Sequence, residues 1–149
     1  MNFAGPTTCL TAGNKEAAHE LQMKVLFIGL GSIGRRNLDS CLRVRPGYLY
    51  AAWRRGLSSS SNQSNPPDLA QFYEWSDVVR WQPQMVWICT PTSSHAETVR
   101  LFGSLSPALF VEKPLAHTAA DAQAIAAFIR DRRLHFFYGC LLRGHPLIQ

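Results

Sequence analysis

The sequence predicts an α/β fold: a single doubly wound domain whose sheet of about six strands is mostly parallel. Three observations lead there. Short apolar runs of four to seven residues alternate with helical stretches, the pattern of strands linked by crossover helices. A glycine loop, G-x-G-x-x-G, stands between the first apolar run and the first helical stretch. The clearest helix of the chain, with its own capping signature, separates the last two apolar runs.

Taken in order, residues 1–22 mix Gly, Pro and Thr with one helix-capable stretch, Lys15 to Gln22, and are expected to be a disordered or weakly structured extension. The domain is expected over residues 23–149. "KVLFI", Lys24 to Ile28, is continuously apolar after its first residue, as in a strand buried on both faces. From Ser32 a helix carries Ile33, Leu38, Cys41 and Leu42 and stops at Pro46-Gly47. "YLYAAW", Tyr48 to Trp53, reads as the second strand. Arg54 to Asp68 is a polar loop rich in Ser, Asn and Pro. A short strand is expected through Phe72-Tyr73, then a short helix capped by Ser76 and running through Trp81. "QMVWICT", Gln84 to Thr90, is a strong strand, and Ser93 or Ser94 can cap the helix carrying Val99 and Phe102. "ALFV", Ala108 to Val111, is the next strand. Thr118 and Asp121 form a T-x-x-D capping signature ahead of Ala122, Ile125, Ala126 and Ile129, which share one helix face. "LHFFYG", Leu134 to Gly139, closes the sheet.

The whole chain bounds its function. Its 149 residues suit one domain, large enough to bury roughly 70% of its unfolded surface. Apolar residues at 46% and charged residues at 17% describe a globular composition. No apolar run approaches the ~18 residues of a membrane span, and the N-terminus lacks the apolar core of a secretory signal, so the expected location is cytoplasmic. Cys9, Cys41, Cys89 and Cys140 show no C-x-x-C spacing and are expected as buried free thiols rather than metal ligands. The formal charge is +5, and 12 of the 15 basic residues are arginines. They are scattered, with no basic run interleaved with aromatics, so nucleic acid is not an expected partner. Several fall at predicted helix C-termini, where they answer the dipole.

The glycine loop is the chemical signal. Gly29, Gly31 and Gly34 follow a strand, open a helix and precede a second strand, which is the context of a Rossmann-like dinucleotide site. Gly29 permits the tight turn, Gly31 lets a pyrophosphate approach the backbone, and Gly34 lets the helix lie on the sheet. The unpaired N–H groups near Ser32 and Ile33 then face the anion. At the end of the second strand an acidic residue would accept from a ribose 2′-hydroxyl; this chain has Trp53-Arg54-Arg55 instead. A guanidinium binds a 2′-phosphate, so the expected cofactor is NADP with NAD possible; the other reading makes Arg54 and Arg55 a solvated turn that admits either.

"VLFIGLGSIGRRN", "VWICTPTSSHAETV" and "LFVEKPLAHTAADAQAI", together with "YGCLLRGHPLIQ", resemble the N-terminal NAD(P)-binding Rossmann domain of the Gfo/Idh/MocA oxidoreductases. The resemblance spans Met23 to Gln149. It implies that Thr90, Pro91 and Thr92 lie against the ribose and diphosphate of the cofactor. It places His95 just inside the following helix, where a capping or core role is the equal alternative. It implies that Glu112 faces the nicotinamide ribose and that Pro114 commonly takes a cis bond. Lys113 would be the catalytic residue, its ammonium set against a substrate hydroxyl or the carbonyl made from it. The chemistry agrees, because a desolvated lysine can relay a proton and an arginine cannot.

The sequence also departs from that family. Cys140 and Leu141 replace polar or aromatic groups near the substrate, and the Ser-rich loop replaces the helix after the second strand. Family members continue into a second α/β domain that supplies most substrate contacts. The expected function is therefore the dinucleotide-binding domain of a sugar-type dehydrogenase, a truncated or split form inactive alone. A sugar-like substrate would be used only with a second domain or chain, and self-association is expected near Leu141, Leu142 and Leu147. The alternatives are a stand-alone NAD(P)-binding sensor or partner subunit, and a non-functional remnant.

Overall fold

A computed structural model describes residues 22–54, 66 and 69–140. The apolar run after the extension forms β1 (Lys24–Ile28), buried from Val25 onward. Next come α1 (Ser32–Val44), β2 (Leu49–Trp53), β3 (Ala70–Phe72) and α2 (Trp75–Trp81). β4 (Met85–Ile88) leads through a 3-10 turn, Thr92–Ser94, into α3 (His95–Gly103). β5 (Ala108–Val111), α4 (Ala119–Arg132) and β6 (His135–Tyr138) complete the described elements.

The strands form one sheet in the order β3-β2-β1-β4-β5-β6. Every neighbouring pair is parallel, so the expected mostly parallel sheet is wholly parallel. Strand alternation divides the core in two. On one face Leu26, Ile28, Ala51, Val86, Ile88, Leu109 and Val111 pack against Val78 of α2, Val99 and Phe102 of α3 and Ile125 of α4. On the other, Val25, Phe27, Tyr50 and Ala52 pack with Leu38 of α1, flanked by the partly buried Cys41 and Leu42. That second face carries a single described helix. Beyond it, Trp87 and Phe110 stack at 4.0 Å between ring centroids, and Phe137, register-paired with Phe110, is 54% exposed.

Several boundaries differ from expectation, each for a local reason. β3 comes earlier than Phe72-Tyr73, because Ala70 and Gln71 pair with Ala51 and Ala52 of β2. Glu74, not Ser76, is the N-cap of α2; the Asp77 N–H already bonds the Glu74 carbonyl at 3.2 Å, which leaves Ser76 inside the first turn. Ser94 does precede α3, but it has helical dihedrals and its hydroxyl donates back to the Pro91 carbonyl at 2.8 Å, so it closes the 3-10 turn and caps no N–H. Thr118 caps α4 as its motif predicts, accepting from the Asp121 N–H at 3.1 Å. Cys41 is half-buried and Cys89 buried, whereas Cys140 is exposed, because it lies past the last strand. The extension up to residue 21, Arg55, most of the Ser-rich stretch and residues 141–149 lie outside the described residues, and with them the expected self-association face.

Phe102 is the joint between α3 and the β2 edge: it is fully buried, with its ring 5.2 Å from Trp53 and 5.3 Å from Trp75. Phe102→Ala should lower the unfolding free energy by about 3–5 kcal/mol in urea titrations, whereas Phe137→Ala should change it by less than about 1 kcal/mol.

Candidate functional site

Where β1 and β4 lie side by side, the chain leaves the first for α1 on one face and the second for α3 on the other. The two connections part above the carboxyl ends of the strands and leave a crevice at the point where strand order reverses. The glycine loop and the Thr90-Pro91-Thr92 turn form its two lips.

The three glycines answer different needs. Gly29 has φ +87°, and a Cβ on it would stand 2.8 Å from the Cys89 carbonyl oxygen. A Cβ on Gly34 would collide with the Gly29 carbonyl and come within 3.3 Å of the Cys89 Cβ. Both are demanded by the protein itself. Gly31 is not: its φ of −70° and ψ of −170° suit any residue, and a Cβ there would meet nothing within 4 Å. Gly31 is also the N-cap of α1, which has no side-chain cap and no acidic residue in its first turn. The N–H groups that open the helix, at the exposed Ser32 and the half-buried Ile33, therefore meet no competing anion from the first turn of their own helix.

On the other lip, Pro91 is exposed and Thr92 half-buried, while the Thr90 hydroxyl oxygen is buried with no hydrogen-bond partner among the described residues. The Thr90 carbonyl is held by His95, which is 1% exposed. Its Nε2 lies 2.9 Å from that oxygen and its Nδ1 lies 3.2 Å from the Leu115 carbonyl. A neutral imidazole has one N–H and serves one of these carbonyls at a time. The ring thus sits between the Thr90 turn and the segment after β5, and in this chain its nitrogens face protein backbone.

Glu112 follows β5 and is 4% exposed. The resemblance sets it against the nicotinamide ribose; within the protein its carboxylate has two hydrogen-bond partners. Oε1 accepts from the Asn37 side chain at 2.7 Å, and Oε2 from the Lys113 backbone N–H at 3.2 Å. Gly139 closes over it, since a Cβ there would lie 3.0 Å from Oε2. Lys113 comes next, is joined to Pro114 by a cis bond and is exposed. Arg54 bonds the Gln71 side-chain oxygen at 3.2 Å, and its own N–H donates to the Phe72 carbonyl at 2.9 Å; Arg55 lies outside the described residues.

Asn37 was overlooked in the sequence, although it carries a signal. It stands one turn after Gly34 and beside Leu38, on the stripe of α1 that meets the sheet, where an apolar residue is the rule. Besides Glu112 it reaches the Cys89 sulfur, 3.7 Å away. Burial, first, pushes the Cys89 thiol up to about 12; the nearby Glu112 charge adds to this and the Asn37 hydrogen bond opposes it. A separate cavity of about 510 Å³, lined by Leu42, Tyr48, Tyr50, Leu69 and Trp81 among others, opens near the start of β2, and the described residues in its wall are uncharged.

Comparisons with known proteins bear on this crevice. A family model described as the oxidoreductase family with an NAD-binding Rossmann fold, GFO_IDH_MocA, matches residues 23–140. Among solved structures, a presumptive NADPH-dependent oxidoreductase from Desulfitobacterium hafniense superposes with a TM-score of 0.75 at 21% identity, over 85% of this chain and 37% of that one. UDP-N-acetylglucosamine 3-dehydrogenase from Acidithiobacillus ferrooxidans gives 0.72 at 21% identity, over 87% of this chain and 42% of that one. Myo-inositol 2-dehydrogenase from Lactobacillus plantarum gives 0.68 at 21% identity, over 84% and 38%. These likenesses are of fold, and this chain spans about two fifths of the length of those structures. No curated protein sequence matches significantly.

Burial of Cys89 has a measurable consequence. The unfolded thiol loses its proton near its ordinary value of 9.0, and the folded one only near 12. The stability contributed by the protonated thiol is present in full below the first value and is lost as pH rises toward the second. Tyr50, raised to about 12 chiefly by burial, acts in the same direction. The urea midpoint should fall steadily above pH 9, and Cys89→Ala should make that fall shallower without abolishing it.

Proposed function

The chain belongs to the Gfo/Idh/MocA oxidoreductases, and on that premise we propose that it is the NADP-preferring, dinucleotide-holding part of a dehydrogenase acting on a sugar-type alcohol. The observation that carries this reading is Gly31. The other two glycines of the loop are required by neighbouring backbone, whereas Gly31 has ordinary dihedrals and open space where its side chain would be. An uncapped helix N-terminus behind that space offers donors and positive potential to a pyrophosphate. The residues present therefore fit the cofactor.

When bound, a nicotinamide dinucleotide supplies the two-electron acceptor for an alcohol carbon. The chain's own groups do the rest. The first N–H groups of α1 bind the diphosphate across Gly31. The Thr90-Pro91-Thr92 turn, braced by His95, forms the facing wall. Arg54 pairs with a 2′-phosphate, in keeping with the NADPH-dependent neighbour. Glu112, anchored by Asn37, holds the Lys113 backbone at the strand end. The Lys113 amine, while unprotonated, then takes the proton of the alcohol oxygen, becomes the ammonium and passes that proton to solvent. Lys113 is exposed and stands on one wall only, so the desolvation and positioning of a substrate have to come from other surfaces.

Gly31→Ala tests the reading directly. It should alter the unfolding free energy by less than about 1 kcal/mol, since no protein atom is displaced. It should nonetheless weaken NADPH binding about tenfold or more in a calorimetric titration, the scale of losing one charge-assisted hydrogen bond. Unchanged affinity would remove the basis of the proposal. A second expectation concerns catalysis. With NADP and a panel of sugars and sugar nucleotides, these 149 residues alone should bind cofactor and stay below about 0.1 s⁻¹. Turnover above that level, abolished in Lys113→Ala, would show that no further surface is needed.

A further inference from the structure

The adenosine end of the crevice holds a second polar residue beside Arg54. Ala52 is buried on the α1 side of the sheet, and strand alternation brings Arg54 out on that same side. Gln71 is register-paired with Ala52, so it projects there too, on the face from which the anion-facing helix starts. Its side-chain oxygen accepts from two donors, the Arg54 guanidinium at 3.2 Å and the Tyr73 hydroxyl at 3.3 Å. An amide oxygen has two lone pairs, and both are taken. What Gln71 has left to offer is its amide nitrogen, with two N–H donors, on an exposed side chain.

We propose that Gln71, oriented by Tyr73, is a binding and specificity residue that works with Arg54 to take a phosphate monoester on the 2′-oxygen of an adenosine ribose. The inference rests on the reading of Arg54 given above and extends it to a two-residue clamp. The chemistry selects the ligand. A phosphate dianion only accepts, and among the described residues Arg54 and Gln71 offer it donors: a charged fork from β2 and a neutral amide from β3. A bare ribose hydroxyl gains most from an acceptor that can take its proton, as an acidic residue would, and the acceptor on Gln71 is already occupied. Tyr73 matters because its hydrogen bond fixes which end of the amide is turned outward.

The test compares 2′,5′-ADP with 5′-AMP, which share every group but the 2′-phosphate, by calorimetric titration of the full chain. The wild type should bind 2′,5′-ADP at least about tenfold more tightly. Arg54→Ala should remove most of that preference. Gln71→Leu should reduce it about threefold or more and Tyr73→Phe should reduce it less, both with 5′-AMP affinity unchanged; Gln71→Glu should reduce it further, by repelling the 2′-phosphate and by accepting from the bare 2′-hydroxyl of 5′-AMP. If Arg54→Ala cuts the preference and the Gln71 variants do not, the clamp is wrong while the NADP reading stands. If the wild type shows no preference, the NADP reading falls and the clamp with it. Equal loss of both ligands in the Gln71 variants would mean a structural role and would also overturn the proposal.

Discussion

β1 and β4 run together through the middle of the sheet, in register from Val25–Met85 to Ile28–Ile88, although they come from distant parts of the chain. Crossover connections between parallel strands are right-handed, so the chain must leave β1 toward one face and β4 toward the other. No described helix or strand runs across the gap between those two departures. The glycine loop, the Thr90 turn and the lysine that follows β5 all stand around it because the strands beneath them end there. Were β4 paired elsewhere, the same side chains would exist without a common site.

Beneath the crevice lies an unusual joint for a protein interior. Glu112 is a nearly fully buried carboxylate held by one amide side chain and one backbone N–H. Burying such a group is unfavourable unless it is hydrogen-bonded. Its partners, however, come from two distant parts of the chain: Asn37 on α1 and the start of the segment after β5. Dispersion contacts tolerate sliding, whereas a 2.7 Å hydrogen bond to a carboxylate does not. The joint therefore registers α1 against the strand end that carries the lysine. His95 lies between the other lip and Leu115, where its ring can donate to either carbonyl.

Much of this was legible in the residues alone. Continuous apolar runs gave away the buried strands, and the spacing of Gly29, Gly31 and Gly34 located the crevice, because both are local patterns with a physical cause. The parts that were not legible depend on contacts between distant segments. Ser76 and Ser94 look like caps by residue type, but the neighbouring backbone closes those turns first. His95 could be read as a ligand group or as a core residue, and only the placement of the Thr90 and Leu115 carbonyls on either side shows what its ring touches. Glu112 and Asn37 are 75 positions apart, so neither predicts the other. Gln71 lies on a strand of three residues, too short to announce which face its side chains take.

The tight turn at Gly29 makes the fingerprint a long-range object. Its backbone packs against the Cys89 carbonyl, and Gly34 packs against both Gly29 and Cys89, while the Cys89 N–H is itself bonded to the Ile28 carbonyl at 2.8 Å. The shape of the loop is thus templated by a strand end some sixty residues downstream of it. A nascent chain emerging from the ribosome would carry the complete glycine motif well before it could assemble it, and a peptide cut after α1 would hold all of the motif's letters and none of its geometry. Ligand recognition at this edge is in that sense a late event of folding, reached only when the second half of the sheet has closed against the first.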